Sequence, residues 1–190
     1  MTESLRLSKR RHTKLSGLVA ALALTAALAA CDEGPATNTR FMHPSGSLDF
    51  LAAATRNQGA LYLAVSGQAF PGQPIPQSDL AATIGTAVQS RVLTLTTDAT
   101  AAEDPNARLL LLFNAPSATA VLSICEDPAT GGPARSDGRV EILAAFCSGK
   151  RLVSAVNGWV EEADGPASPR FQQLIRQTAR DLFKPRAKDQ

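Results

Sequence analysis

Residues 139–161 read RVEILAAFCSGKRLVSAVNGWVE and decide the fold class. Apolar side chains alternate along the first part of this stretch, at Val140, Ile142, Ala144 and Phe146. A period of two residues is typical of a strand, here over 139–147. The turn tripeptide Ser148-Gly149-Lys150 follows, and 151–161 returns as the partner strand. The stretch therefore predicts an antiparallel hairpin.

The strands that precede this hairpin are also visible as apolar patterns. Residues 108–114 read RLLLLFN, and such an uninterrupted apolar run is typical of a central strand buried on both faces. Alternating apolar side chains predict a strand over about 60–69. The run 92–97 is rich in β-branched residues and predicts a further strand.

Two helices are indicated by apolar side chains at helical spacing. The first follows Ser78, a typical N-cap residue, and ends near Arg91. The second opens with the dipeptide Ser168-Pro169, which suits the N-cap and first helical positions, and runs to Lys184. Residues 117–125 fit a short helix or a strand, and both interpretations stay open.

The predicted order of elements is β-α-β-β-(α)-β-β-α. Hairpin-linked strands with two firm helices favour the α+β class, with a small, mostly antiparallel sheet and helices packed on one face. We expect a single domain over 48–184 and a polar tail at 185–190. Residues 32–47 mix Pro, Gly, Ser and Thr without apolar periodicity, which predicts a flexible tether before the domain.

Charge argues against one class of partner. Residues 1–30 contain five of the 19 bases and one of the 17 acids, so residues 31–190 carry a net charge of −2. The hydrophobic fraction of 44% is normal for a globular protein. Nothing in this balance favours nucleic acid as a partner.

The N-terminus has the three parts of an export signal. A basic stretch at 9–14 precedes 16 uncharged residues at 15–30, fewer than the roughly 20 that a membrane-spanning helix needs. The run ends in Leu28-Ala29-Ala30-Cys31, which resembles the lipobox of bacterial lipoproteins. The resemblance implies that 1–30 is a signal peptide removed before Cys31, and that Cys31 carries a thioether-linked diacylglycerol. Ordinary cleavage at an A-x-A-like site and an uncleaved anchor are the alternatives.

Asp32 and Glu33 follow the lipobox directly. An acidic residue there resembles the signal that keeps enteric lipoproteins in the inner membrane, and the alternative is a solvated start to the tether. The end of the chain, a hairpin and a helix closing in Leu182-Phe183-Lys184-Pro185, is loosely similar to small envelope lipoproteins of unknown function. Together these likenesses imply a periplasm-facing protein, attached to the inner rather than the outer membrane by its lipid, with a partner in the envelope.

Cys125 and Cys147 are the thiols left once Cys31 is lipidated. Exported proteins fold in an oxidising compartment, so we expect these two to form a disulfide. In a plain hairpin of 120–125 with 139–147 the two would not face each other. The pairing therefore favours the helical interpretation of 117–125.

Residues suited to catalysis are few. His43 is the only histidine after the signal peptide, so we expect neither a His-rich metal site nor a Ser-His-Asp system within 48–184. Residues 43–47 read HPSGS, which lacks the G-x-S-x-G pattern of a nucleophile elbow. The dipeptide Gly131-Gly132 is not followed by the lysine of a phosphate loop.

Two charged clusters have a functional and a structural interpretation each. An acidic cluster after the last strand suits a weak cation site, but a solvated turn explains it better. Its members are Glu161, Glu162 and Asp164. A basic stripe on the last helix suits anionic headgroups or an acidic partner, but a solvent face near the helix C-terminus explains it better. Its members are Arg176, Arg180 and Lys184.

These observations favour a non-catalytic binding, accessory or assembly module, without a cofactor or a metal. The alternative is a periplasmic hydrolase that uses carboxylates alone, because such a mechanism needs no histidine.

Replacing Cys31 by alanine should abolish lipid attachment, because the thioether forms on that sulfur. Metabolic labelling with a radioactive fatty acid measures the attachment, with the wild-type chain as the positive control. Equal labelling of both chains would contradict the prediction.

Overall fold

The computed structural model describes residues 34–56, 58–88 and 92–185. The predicted signal peptide, Cys31, Asp32 and Glu33 lie outside these residues, as does all but the first residue of the tail. The described elements are strand β1 (Ala36–Met42), helix α1 (Leu48–Ala54), β2 (Leu61–Ser66), α2 (Gln77–Ala87), β3 (Leu95–Thr96), β4 (Ala107–Phe113), β5 (Val140–Ser148), β6 (Arg151–Val160) and α3 (Pro169–Leu182).

The described strands form one mixed sheet in the order β1-β6-β5-β4-β2-β3. The pairs from β1 to β4 are antiparallel, whereas β2 runs parallel to both β4 and β3. The α+β class is confirmed, and β5 and β6 are the predicted hairpin. The predicted order is only partly correct, because β1 and α1 were not expected and the sheet is antiparallel on one side only.

The segment before the predicted domain is the main correction. A flexible tether was expected over 32–47, but Ala36–Met42 forms an edge strand with Ala36 opposite Trp159 and Met42 opposite Ser154. The middle of this strand is exposed, so it carries no apolar alternation. The Thr37 hydroxyl donates a hydrogen bond to Asp181 on α3, so contacts distant in sequence hold β1 in place.

Other boundaries also differ from the sequence-based expectations. Helix α2 ends at Ala87, because the chain turns back and the Leu93 amide donates to the Gly85 carbonyl, N···O 3.0 Å. The strand expected over 92–97 is reduced to Leu95–Thr96. The ambiguous 117–125 segment contains one 3-10 turn, Val121–Ser123, in place of an α-helix or a strand.

All three described helices pack against one face of the sheet. β4 presents Leu109, Leu111 and Phe113 to this side, and all three are buried. Phe171 of α3 anchors the contact, with its ring centroid 5.0 Å from that of Phe70 and 6.1 Å from that of Phe113. The expected placement of helices on one face is therefore correct.

The other face of the sheet is covered by the chain that follows β4. Leu110 and Leu112 of β4 point to this side, and Ile124 of the covering segment is 0% exposed. Cys125 of the segment forms the predicted disulfide with Cys147 of β5, with Cα atoms 5.7 Å apart. We call residues 115–129 the covering segment.

Replacing both Cys125 and Cys147 by alanine should lower the free energy of unfolding by about 3 kcal/mol, because the crosslink restricts the unfolded chain. The bridged cysteines are 22 positions apart. Urea denaturation followed by circular dichroism measures the change. A reductant should lower the midpoint of the wild type and leave the variant unaffected. Equal midpoints for variant and wild type would mean that packing alone holds the covering segment.

Candidate functional site

The site follows from how the chain leaves two neighbouring parallel strands. Tyr62 to Ser66 of β2 pair with Arg108 to Leu112 of β4, so both strands end at the same edge of the sheet. After β2 the chain passes to α2 on the helical face, and after β4 it crosses to the opposite face. Connections that part in this way leave a crevice at the carboxyl ends of the strands, which is where open α/β sheets bind ligands.

A cavity of about 340 Å³ occupies this place, and we call it the crevice. Its floor is apolar, formed by Val65, Phe70, Ile75, Leu80 and Phe113. Three amide side chains, those of Gln68, Gln73 and Gln77, line it as well. No side chain that ionises lines the crevice among the described residues. This combination of an apolar floor with a few polar groups is typical of small-molecule sites.

The loop that follows β2 and lines the crevice is held by contacts with the loop at Gly131-Gly132. The backbone N–H of Gln68 donates to the Gly132 carbonyl, N···O 2.9 Å. The backbone N–H of Gly131 donates to the Ser66 hydroxyl, N···O 3.0 Å. Gly67 has a φ of +85°, and a Cβ there would lie 2.3 Å from the Phe113 carbonyl oxygen. A Cβ on Gly131 would lie 2.4 Å from the Ser66 carbonyl oxygen. Because Gly131 and Gly132 have no side chains, these two segments of the chain can approach closely.

Asn114, directly after β4, connects the loops around the crevice. Its φ of +48° is in the left-handed region, which asparagine enters more readily than most residues. Its Nδ2 donates to the carbonyls of Gln68 (2.8 Å) and Pro133 (3.2 Å). Its Oδ1 accepts from the Glu141 amide at 3.0 Å. One side chain therefore joins the ends of β2, β4 and β5.

A second cavity of about 280 Å³, which we call the charged cleft, lies on the opposite face beside the covering segment. Its lining includes Arg40, Arg139, Glu141, Asn157 and Trp159. Arg139 Nε donates to Glu141 Oε1 at 2.7 Å, and its Cζ lies 5.8 Å from the Trp159 ring centroid. Asn157 Oδ1 is buried without a hydrogen-bond partner.

Arg135 and Arg139 of this region are held by carboxylates. Burial lowers the pKa of Arg139, but hydrogen bonds to Glu141 and Glu161 outweigh it and raise that pKa. The hydrogen bond from Arg135, assisted by the Arg139 amide, lowers the pKa of Asp137 to about 2. The ionised forms of these groups are therefore favoured near neutral pH, as expected of a structural ion-pair network.

The histidine run considered as a nucleophile site has structural roles. His43 Nδ1 accepts from the Ser45 amide at 3.2 Å, and its ring packs edge-on against Phe50, with centroids 5.0 Å apart. The Ser47 hydroxyl donates to the Lys184 carbonyl at 3.2 Å. Ser47 thus satisfies a carbonyl just beyond the end of α3, which explains why a polar residue is buried there.

Half of the residues in the two charged clusters noted in the sequence form ion pairs. Glu161 accepts from Arg139, and Glu162 lies 3.3 Å from Arg170 Nη1. Just beyond α3, Lys184 Nζ lies 2.6 Å from Asp181 Oδ1, while Arg176 and Arg180 of the helix are exposed. These contacts favour the structural interpretation of both clusters.

Sequence reasoning missed the crevice. The glutamines that line it match no motif, and their meeting depends on the parallel pairing of β2 with β4. In the part of the chain that the structure describes, no helix is long and apolar enough to cross a bilayer, and no three His, Cys, Asp or Glu side chains are grouped to hold a metal ion. Comparison with known protein families, curated proteins and solved structures finds no match.

Replacing Asn114 by alanine should lower the free energy of unfolding by about 2 kcal/mol, because the hydrogen bonds are lost and alanine is strained at positive φ. Asn114→Gly is the matched control. Glycine also loses the hydrogen bonds but accepts the backbone conformation, so its loss should be about half as large. Urea denaturation measures both. Equal losses would mean that the left-handed backbone imposes no constraint.

Proposed function

We propose that this protein is a lipid-anchored envelope protein, facing the periplasm, which binds an uncharged ligand or partner segment in the crevice without catalysing a reaction. Cys31 carries the anchor in this proposal. Asp32 and Glu33 favour the inner membrane. An anchored domain gains local concentration at the membrane, which strengthens contacts with other envelope components.

The observation that carries the binding proposal is the lining of the crevice. A ligand that enters it loses contact with water and meets apolar side chains, so burial of an apolar group supplies most of the affinity. The glutamine amides both donate and accept hydrogen bonds, which suits a ligand with uncharged polar groups. A charged ligand would find no counter-ion there, and burying an unpaired charge is costly.

The carboxylate-hydrolase alternative would need acids that act together. Beside the charged cleft, Glu141 and Glu161 are held near each other through Arg139. Both are hydrogen-bonded to the same guanidinium, which is the arrangement of a structural ion pair. The crevice is therefore the better supported site.

Site-specific crosslinking tests the proposed site. Benzoylphenylalanine is introduced at Gln73 on the rim of the crevice, or at Thr86 on the exposed side of α2 as the matched control, in a bacterium that processes lipoproteins. Ultraviolet light should produce an adduct, seen by mass spectrometry, at position 73 and not at 86. Adducts in equal yield at both positions would contradict binding in the crevice.

A further inference from the structure

The position of β1 brings the proposed lipid anchor close to the folded domain. This inference rests on the proposed lipidation of Cys31. Three peptide units separate Cys31 from Gly34, and a chain of that length spans at most about 11 Å. Pro35 is already buried and Ala36 is the first residue of β1. A tether running to residue 47 would have let the domain face any direction, but one this short holds the end of β1 near the bilayer.

The register of the sheet shows which other residues share that end. Ala36 lies opposite Trp159, and Val160, next to it, lies opposite Val140 at the start of β5. Phe113 at the end of β4 pairs with Ile142, and β2 ends beside β4. We call this end, where β2, β4 and β6 finish, the anchor end. The β5–β6 turn lies at the opposite end, roughly 27 Å away along β5 at about 3.4 Å per residue.

The crevice belongs to the anchor end, because it is formed by the residues that follow β2. Its lateral displacement from β1 is about four strand spacings, or roughly 19 Å. This is four of the five spacings across the sheet, so the crevice shares the end of the sheet with the start of β1 but lies toward the other edge.

Three ion pairs lie among the loops at the anchor end, Arg135 with Asp137, Arg139 with Glu161 and Arg170 with Glu162. Pairing of this kind weakens the attraction of these arginines to anionic headgroups. The proposed orientation therefore rests on the covalent anchor.

We propose that the anchor end is the surface that faces the bilayer, and that the crevice takes up the apolar chain of a membrane lipid with an uncharged headgroup. The apolar floor receives the chain, and the glutamine amides bind ester and hydroxyl groups near the head. The crevice of about 340 Å³ is at the small end of ligand sites, which suits part of one chain and excludes a whole two-chain lipid.

The orientation can be measured with the intrinsic fluorescence of Trp159, the only tryptophan of the chain. The lipidated protein is reconstituted into phosphatidylcholine vesicles that contain a dansyl-headgroup lipid as energy acceptor. The matched control carries Trp159→Phe with Lys150→Trp, which moves the donor to the opposite end of the sheet. Energy transfer should be several-fold larger from Trp159 than from position 150. Equal or reversed transfer would overturn the proposed orientation.

An unlipidated Cys31→Ser chain separates this result from the proposed anchor. Prepared as residues 31–190, without the apolar run at 15–30, it should stay in solution and show no transfer. If it binds the vesicles as well as the lipidated chain, the proposed anchoring is wrong. If only the lipidated chain binds but both donors transfer equally, the anchoring stands and the orientation is wrong.

The occupant is tested with a diacylglycerol that carries a photoactivatable diazirine in one acyl chain. Illumination should label peptides within 65–80 several-fold more than other peptides. Gln73→Glu places a negative charge on the rim and should reduce this labelling several-fold, while Gln173→Glu, which adds the same charge on the exposed side of α3, should leave it unchanged. Uniform labelling, no effect of Gln73→Glu, or preferred labelling by the matching photoactivatable phosphatidylglycerol would overturn an uncharged-lipid site.

Discussion

The structure depends on one constraint, which is that β4 is apolar on both of its faces. Leu109, Leu111 and Phe113 need cover on one side, and Leu110 and Leu112 need it on the other. Burying a leucine side chain stabilises the folded state by about 1.5–3 kcal/mol. Leaving the two leucines of the second face in water would therefore lower the free energy of unfolding by roughly 3–6 kcal/mol. That amount approaches the whole stability of a typical domain, so cover on both faces is required.

The two faces are covered by different means, and the crevice results from this difference. Helices take one face, so the chain leaving β2 must go there. The covering segment takes the other face, held by the Cys125–Cys147 bridge, so the chain leaving β4 must go in the opposite direction. Asn114 and the close approach of Gly131 to Ser66 hold the two exits together at the edge of the sheet. A requirement of the core thus creates the cavity that we assign to binding.

The pairing of β1 with β6 has the largest consequence for function. A strand of mostly polar residues is stabilised here by a ladder of backbone hydrogen bonds and by contacts of Thr37 with α3. The same pairing moves the start of the folded domain from residue 48 to residue 36. In the lipid anchoring that we propose, this start leaves residues 32–35 between the lipid on Cys31 and β1.

The sequence by itself determined the hairpin of β5 and β6, the buried strand β4, helix α3 and the pairing of Cys125 with Cys147. In each case a local periodicity, or a choice among very few partners, carries the information. It also contains Leu28-Ala29-Ala30-Cys31, whose resemblance to a lipobox rests on a linear motif. Only the tertiary structure decided that 36–42 is a strand, that β2 lies parallel to β4, and that uncharged glutamines line a crevice. These features depend on backbone hydrogen bonds between segments that are distant in sequence. Backbone groups are the same in nearly every residue type, so no side-chain pattern predicts which segments pair.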